Sequence, residues 1–317
     1  MADSEFRVGV IGLGAMGKNH VRVLGELEDA NLTAVYDENS ALCEEVAAAA
    51  GANAAGSIEE FIALVDAATV ATPTITHRAL GEALFSAGKH ALIEKPIAST
   101  MEDAMALVAA AEANGCVLQV GHIERFNPVM AGLEQITDAP RFIEIERLSP
   151  FPKRSMDVDV ILDVMIHDIE IVLHLVKAEL VSLDAVGVPV ITDRADIANV
   201  RLRFADGCVA NVAASRISEK KARTIRVFQG ESYVSADFVE QSGKVIRRVG
   251  ENVIPGLLEV TSGEPLMREM EAFVSCAKSG ATPPVSGRET TAALNVALQI
   301  GELLANDGGA ASVKPLS

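Results

Sequence analysis

The feature that most constrains this chain is a glycine pattern placed directly after an apolar run near the N-terminus. Residues 6–12 form the run, and its lack of helical spacing predicts a strand buried on both faces of a parallel sheet. The pattern G-x-G-x-x-G comprises Gly12, Leu13, Gly14, Ala15, Met16 and Gly17. A helix is predicted to begin at Ala15. Strand, glycine turn and helix together form the context in which this pattern indicates a dinucleotide-binding site.

Each glycine has its own physical task in such a turn. Gly12 permits the tight turn, Gly14 lets the main chain approach a pyrophosphate, and Gly17 allows helix and strand to pack closely. The helix N-terminus faces the phosphates. Asp37 ends the second predicted strand, where a carboxylate can bind the adenosine ribose and repel a 2′-phosphate. The pattern therefore favours NAD over NADP, with flavin, or an ordinary glycine turn, as alternatives.

The order of predicted elements indicates an α/β fold with two domains. Strands and helices alternate over the first 121 residues, which predicts a Rossmann-type, doubly wound parallel sheet. Short strands joined by tight turns then predominate, which predicts an α+β domain with a largely antiparallel open sheet. We therefore assign residues 1–121 to NAD binding and 122–317 to catalysis, substrate binding and oligomerisation. The second range includes helices predicted at about 264–278 and 288–306.

The composition argues against several kinds of partner and site. Lys and Arg total 27 against 44 Asp and Glu, and the net charge of −17 repels nucleic acid and anionic membranes. No apolar run approaches the ~20 residues of a membrane span, and the start of the chain carries Asp3 and Glu5 where a signal peptide would be basic, so we expect a cytoplasmic protein. The four cysteines form no C-x-x-C pair, which predicts reduced thiols and no structural zinc.

Three further motifs stand in a fixed order between residues 71 and 96. They are Ala71-Thr72-Pro73 with His77, Ala87-Gly88-Lys89-His90, and Glu94-Lys95-Pro96. With the glycine pattern they resemble the Gfo/Idh/MocA family of sugar and polyol dehydrogenases, and the resemblance spans nearly the whole chain. It implies five further cofactor contacts, namely Thr72, Pro73, His77, Glu94 and Lys95. Read without the family, Thr72-Pro73 is an ordinary strand-ending turn and His77 starts a helix.

Lys95 is the first candidate catalytic residue. It follows a predicted strand at the sheet edge where doubly wound folds bind ligands, and Pro96 forces it into an extended conformation. The resemblance implies that Lys95 polarises the reacting hydroxyl or carbonyl group and that the Lys95–Pro96 peptide bond is cis. A solvated surface lysine is the alternative.

Asp163 and His167 are the other candidate catalytic residues. They lie four apart on a helix predicted from about residue 158 to 176, and so share one face. The family pattern D-x-x-x-H implies that the carboxylate orients substrate or imidazole while His167 exchanges the proton. Without the family pattern, a histidine among apolar residues is more often part of the core. Glu170 and His174 fall on the same stripe, but the spacing does not favour a metal site, and we expect none.

Residues 120–128 and 163–168 resemble most the branch of the family that oxidises UDP-N-acetylglucosamine, or related UDP-sugar acids, at the 3-hydroxyl. Four nearby residues are candidates for substrate binding: Arg125, Asn127, Lys153 and Arg154. The first two stand where the chain passes between the predicted domains, and could reach a cleft or tie the domains together. The last two precede the catalytic helix, and could contact a diphosphate or be solvated.

The sequence therefore predicts an NAD-dependent oxidoreductase that acts on a ring secondary hydroxyl of a sugar, foremost the 3-hydroxyl of UDP-N-acetylglucosamine or a related UDP-sugar. His167, with Lys95, would remove the hydroxyl proton as hydride passes to the nicotinamide. Two alternatives are a myo-inositol or free-sugar dehydrogenase and a catalytically silent NAD-sensing regulatory protein. An open sheet with an apolar face predicts a homodimer or homotetramer.

Overall fold

A computed structural model describes residues 6–151, 159–306 and 308–314. The chain forms two compact units, Met1–Ile123 with Glu264–Thr291 and Glu124–Gly263 with Ala292–Ser317. The first boundary lies two residues from the predicted one, whereas residues 264–291 join the first unit instead of the second. Within the described residues, no helix combines the length and the apolar character that a bilayer span requires.

The first unit is built on a six-stranded parallel sheet with the order β3-β2-β1-β4-β5-β6. Its strands are β1 (Arg7–Ile11), β2 (Asn31–Tyr36), β3 (Asn53–Ala54), β4 (Ala67–Val70), β5 (His90–Glu94) and β6 (Leu118–Gly121). Its first helices are α1 (Ala15–Glu26), α2 (Ser40–Ala50), α3 (Ile58–Leu64), α4 (His77–Ser86) and α5 (Met101–Ala113). Every residue of β4 and β6 is buried, as expected where both faces of a doubly wound sheet are covered. This confirms the predicted fold class.

The predicted alternation omits β3 and α3. The helix α3 begins after Ser57, whose hydroxyl accepts a hydrogen bond from the main-chain N–H of Glu60 (3.2 Å). The carboxylate of Glu60 in turn accepts the main-chain N–H of Gly56 (2.8 Å). Ser followed three residues later by Glu is a known start signal for a helix, so this element could have been found in the sequence.

The second unit carries a nine-stranded mixed sheet with the order β14-β13-β12-β11-β7-β10-β9-β8-β15. Its strands are β7 (Phe142–Leu148), β8 (Leu180–Val188), β9 (Ile197–Phe204), β10 (Val209–Ser215), β11 (Ala222–Gln229), β12 (Ser232–Asp237), β13 (Ser242–Val249), β14 (Asn252–Leu257) and β15 (Gly309–Ser312). The remaining helices are α6 (Pro128–Ile136), α7 (Ile166–Val176), α8 (Pro265–Ser279) and α9 (Gly287–Ala305). Strands β7 and β10 pair in parallel and the other neighbours pair antiparallel, as predicted for most of the sheet.

The helix α8 explains why residues 264–291 belong to the first unit. Leu266, Met270 and Phe273 recur at helical spacing and are buried in one cluster with Leu24 of α1 and Leu92 of β5. This helix therefore completes the core on one face of the parallel sheet. Sequence periodicity predicted the helix itself, but it does not reveal which core an apolar stripe will join.

Candidate active site

The glycine turn forms an open cradle at the start of α1. Gly12 has a φ of 87°, in the left-handed region that favours glycine. A Cβ on Gly17 would lie 1.7 Å from the carbonyl oxygen of Gly12, so only glycine allows the turn to pack on the helix. Gly14 precedes the first helical residue, is exposed, and has no described heavy atom within 4 Å of the position of a Cβ. This geometry leaves room for a phosphate at the amide groups of the helix N-terminus.

Asp37 lies against this turn. Its Oδ2 accepts the main-chain N–H of Leu13 (2.7 Å), and its Oδ1 accepts the main-chain N–H of Asn39 (2.9 Å). The main-chain N–H of Gly12 donates to the carbonyl of Tyr36 (2.8 Å), which fixes the turn beside the end of β2. A carboxylate at the rim of an open phosphate cradle fits the adenosine half of NAD.

His77 links the turn after β4 to the turn after β5. Its Nε2 lies 3.0 Å from the carbonyl oxygen of Thr72, and its Nδ1 lies 3.1 Å from that of Pro96 and 3.2 Å from that of Ile97. The residue is wholly buried, and burial lowers the pKa of its imidazole. A neutral ring donates from one nitrogen only, so one tautomer bonds either the carbonyl of Thr72 or those of Pro96 and Ile97. His77 therefore lies between carbonyl groups of the two turns, and its contact with the cofactor stays a prediction.

Lys95 follows directly after β5, next to the ends of β4 and β6. The Lys95–Pro96 peptide bond is cis, as the family resemblance implied. The main-chain N–H of Lys95 donates to Oε2 of Glu94 (3.2 Å), and Oε1 of Glu94 lies 3.1 Å from Nε2 of His20 on α1. His20 is fully buried and lies three residues beyond the glycine pattern, and it was not predicted from the sequence.

Asp163 and His167 lie on a helix that is not α-helical throughout. Residues Ile161–Met165, which include Asp163, form a single π-helical turn, and α7 with His167 follows without a break. Oδ1 of Asp159 accepts the main-chain N–H groups of Ile161 and Leu162 (3.1 and 3.0 Å) and so caps this turn. The sequence predicted a helix over this stretch but did not distinguish the π turn from α-helix. Such π turns occur often at functional sites, because they change the direction in which side chains point.

Arg125 and Asn127 have partners inside the second unit. Nη1 of Arg125 donates to Oε1 of Glu170 on α7 (2.6 Å), and both side chains are buried. Oδ1 of Asn127 accepts the main-chain N–H of Val129 (3.1 Å) and caps α6, while its Nδ2 donates to the carbonyl of Phe238 (3.0 Å). The other substrate-binding candidates, Lys153 and Arg154, lie outside the described residues.

A buried cation that the sequence analysis overlooked lies beside the candidate catalytic helix. Arg147 on β7 donates from Nε and Nη2 to Oδ1 of Asp168 (3.0 and 2.6 Å), and Asp168 directly follows His167. Its Nη1 donates to Oε1 of Glu124 (2.9 Å). The sequence contained a signal, because an arginine at the position where the alternating strand β7 requires a core residue predicts a buried ion pair.

Both halves of the chain match known protein families. Residues 6–122 match the oxidoreductase family with an NAD-binding Rossmann fold, and residues 140–232 match the GFO/IDH/MocA C-terminal domain. These matches agree with the fold class and with the cofactor predicted from the glycine pattern.

Relatives with stated activities cover most of the chain. A UDP-N-acetylglucosamine 3-dehydrogenase of Acidithiobacillus ferrooxidans is 39% identical over 279 residues, 86% of this chain and 88% of the relative. A solved structure of a UDP-N-acetylglucosamine 3-dehydrogenase from that organism covers 94% of this chain and 97% of its own, with 37% identity and a TM-score of 0.89. An inositol 2-dehydrogenase of Rhizobium meliloti is 28% identical over 92% of this chain and 94% of the relative.

Proposed function

Since this chain belongs to the Gfo/Idh/MocA family of NAD-binding oxidoreductases, we propose that it oxidises the 3-hydroxyl of UDP-N-acetylglucosamine or of a related UDP-sugar. The observation that carries this proposal is the 39% identity to a UDP-N-acetylglucosamine 3-dehydrogenase over 86% of the chain. The inositol 2-dehydrogenase covers a similar span at 28% identity. The higher identity to the UDP-N-acetylglucosamine enzyme favours a nucleotide sugar over inositol as the substrate.

The cofactor would be held by the glycine turn and the residues around it. The pyrophosphate would bind at the amide groups that Gly14 leaves open, and the adenosine ribose would bind Asp37. Bound NAD supplies the acceptor for the hydride. Four residues are proposed to contact the nicotinamide half, namely Thr72, Pro73, Glu94 and Lys95. His77 is proposed as a further contact, and it lies between carbonyl groups of the turns after β4 and β5.

The proposed chemistry assigns one task to each candidate catalytic residue. Lys95 binds the reacting oxygen and stabilises its negative charge, His167 accepts the hydroxyl proton, and Asp163 orients the substrate or the imidazole. The substitution Lys95→Ala should then lower turnover by ~10²–10⁴-fold, the usual range for removing such a group. Lys278→Ala, which removes a half-exposed amine paired with Asp29, is the matched control. Ordinary turnover by the Lys95 variant would remove this residue from the mechanism.

Substrate binding and self-association are assigned to the second domain, residues 122–317. Exposed apolar side chains on two of its strands support association into a homodimer or homotetramer: Val186 and Val188 on β8, and Val253 and Leu257 on β14. Val253 and Leu257 are 68% and 79% exposed on the same strand at one end of the sheet. Light scattering at micromolar concentration tests this, and a monodisperse monomer would contradict it.

We also propose that the protein works in the cytoplasm. All four cysteines are free thiols: Cys43, Cys116, Cys208 and Cys276. Thiols persist in compartments where glutathione and thioredoxin keep them reduced. Fractionation of the producing cells tests the assignment, and recovery in an oxidising compartment would contradict it.

The proposed function is tested by following NADH formation with a panel of substrates. The purified chain is mixed with NAD and, in turn, with UDP-N-acetylglucosamine, its uronic acid, myo-inositol and glucose. We expect turnover with one or both UDP-sugars. Turnover with only myo-inositol or glucose would support the inositol or free-sugar dehydrogenase instead. Tight NAD binding without any turnover would favour a sensing protein.

A further inference from the structure

One buried carboxyl group of the first unit takes no part in the chemistry proposed above. Glu269 lies in α8 among core residues and is 0% exposed. Among the residues that the structure describes, no donor lies within hydrogen-bonding distance of either of its carboxyl oxygens. An ionised carboxylate in such a place is strongly unfavourable, because neither water nor a hydrogen bond compensates its charge.

The position of α8 brings this carboxyl group to the face of the sheet that carries Glu94. Nε2 of Gln119 on β6 donates to the main-chain carbonyl of Glu269 (3.1 Å). Gln119 pairs with Leu92 on β5, and Glu94 follows two residues later, so all three side chains point to the same face.

Burial and the nearby charge of Glu94 both favour the neutral form of Glu269. Burial raises the pKa of Glu269 well above its usual value, and the negative charge of Glu94 raises it further. The elements around it present Glu94 from β5 and, beside Glu94, His20 from α1. Strand β6 contributes the amide of Gln119, which does not titrate.

Glu94 itself is held on three sides. One oxygen lies beside His20, the other accepts the main-chain N–H of Lys95, and Gly121 of β6 closes the third side. A Cβ on Gly121 would lie 2.9–3.0 Å from the atoms of the Glu94 carboxyl group. The carboxylate therefore occupies a tight slot, and a second negative charge nearby would push it out of the position that holds Lys95.

We propose that Glu269 is a positioning residue that carries a proton, so that Glu94 keeps its bonds to His20 and to the main chain of Lys95. Loss of that proton would set two carboxylates against each other, displace Glu94, and disturb the turn that presents Lys95 to the cofactor and substrate. The inference rests on the proposed role of Lys95, and it adds a pH-dependent limit to the active conformation.

Infrared difference spectra of the full chain near neutral pH test the protonation directly. We expect the band of a protonated carboxyl group in the wild type and its loss in E269Q. The matched control is E271Q, because Glu271 lies on the same helix but is exposed, and this variant should keep the band. Glu269→Met serves as the second variant if a buried amide hinders folding. Absence of the band from the wild type, or its persistence in E269Q, would overturn the proposal.

The pH dependence of NADH binding tests the link to Glu94 without any sugar substrate. Fluorescence titration should show wild type and E271Q losing affinity by about tenfold per pH unit once Glu269 ionises, whereas E269Q keeps its affinity over the same range. The pH dependence of turnover should show the same loss at high pH in the wild type, and this loss should be absent from E269Q. An equal pH dependence in all three proteins would overturn the proposal. Failure of the proposed function would show separately, as wild-type protein that binds NADH but oxidises no UDP-sugar.

Discussion

The two units each bury a cluster of acidic side chains, and they stabilise these clusters in different ways. In the second unit, Arg147 lies between Glu124 and Asp168 and donates hydrogen bonds to both. Arg223 adds a second cation, with Nη1 2.6 Å from Oε1 of Glu124. Burial opposes charge here, but the two arginines hold the pKa of Glu124 below its usual value. Each carboxylate of this cluster has a cation as its partner.

In the acidic cluster of the first unit, the carboxyl groups have different neighbours. Glu94 has His20 beside it, whereas Glu269 has a second carboxyl group as its electrostatic neighbour. The comparison teaches that burial alone does not determine the charge of an acid. At Glu124 the two arginines outweigh burial and lower the pKa, and at Asp168 burial raises the pKa although Arg147 is its partner. At Glu269 burial and the charge of Glu94 both raise the pKa.

The largest expected effect comes from breaking the compensated cluster. Arg147→Met leaves the buried carboxylates of Glu124 and Asp168 without their main partner, and should lower the free energy of unfolding by ~3–5 kcal/mol. Denaturant unfolding measures the loss. Arg248→Met is the control, since Arg248 and Glu231 form an exposed pair expected to contribute below ~1 kcal/mol. Equal losses in the two variants would mean that Arg147 does not balance the cluster.

A smaller effect is expected from crowding the other cluster. Gly121→Ala places a methyl group about 3 Å from the carboxyl atoms of Glu94 and should destabilise the protein by ~1–3 kcal/mol, as overpacking usually does. Turnover should fall as well, because Glu94 holds the main chain of Lys95. Gly25→Ala is the control, as a Cβ there meets no atom within 4 Å. If both variants unfold and turn over like the wild type, the slot around Glu94 is not tight.

The pH dependence of the free energy of unfolding further distinguishes Glu269 from the acids of the second unit. The pKa of Glu269 is raised in the folded chain, so its contribution to stability is present below the usual pKa of 4.5 and is lost as pH rises towards the folded pKa. Each pH unit of that window removes ~1.4 kcal/mol from the wild type and nothing from E269Q. The melting temperature of E269Q should therefore rise relative to that of the wild type as the pH increases above 4.5. A constant difference over this range would indicate an ordinary carboxylate.

The smallest effect is expected for the outer cation of the compensated cluster. The side chain of Arg223 is 40% exposed, and Glu124 keeps Arg147 when Arg223 is replaced by methionine. Arg223→Met should cost ~1 kcal/mol or less in chemical denaturation. A loss as large as that of Arg147→Met would show that both arginines are needed to keep Glu124 ionised.

Local patterns predicted the elements that carry the cofactor site. The glycine turn, β1, α1 and Asp37 could be assigned because each follows from main-chain sterics and from hydrogen bonding between near neighbours. The signal for α3 was present in Ser57 and Glu60 and went unused. Strand β14 is exposed at every position and contains Pro255, so it has no alternating pattern to recognise.

Other features depend on contacts distant in sequence. Glu269 and Glu271 are two residues apart and look alike in the sequence, yet one is buried and the other exposed, because α8 packs on the first core. The partners of His77 are carbonyl groups of two separate turns, which no spacing reveals. The π turn at Asp163 likewise has no local signature, although its cap, Asp159, is a residue type that favours helix starts.

The central claim is that this chain oxidises the 3-hydroxyl of a UDP-sugar with NAD. It is tested most directly by incubating the protein with NAD and UDP-N-acetylglucosamine that carries deuterium at C3, followed by mass spectrometry of the nucleotides. We predict that the reduced cofactor contains the deuterium and that the sugar becomes a 3-keto product. Reduced cofactor without deuterium, or no reduction while myo-inositol is oxidised readily, would contradict the claim.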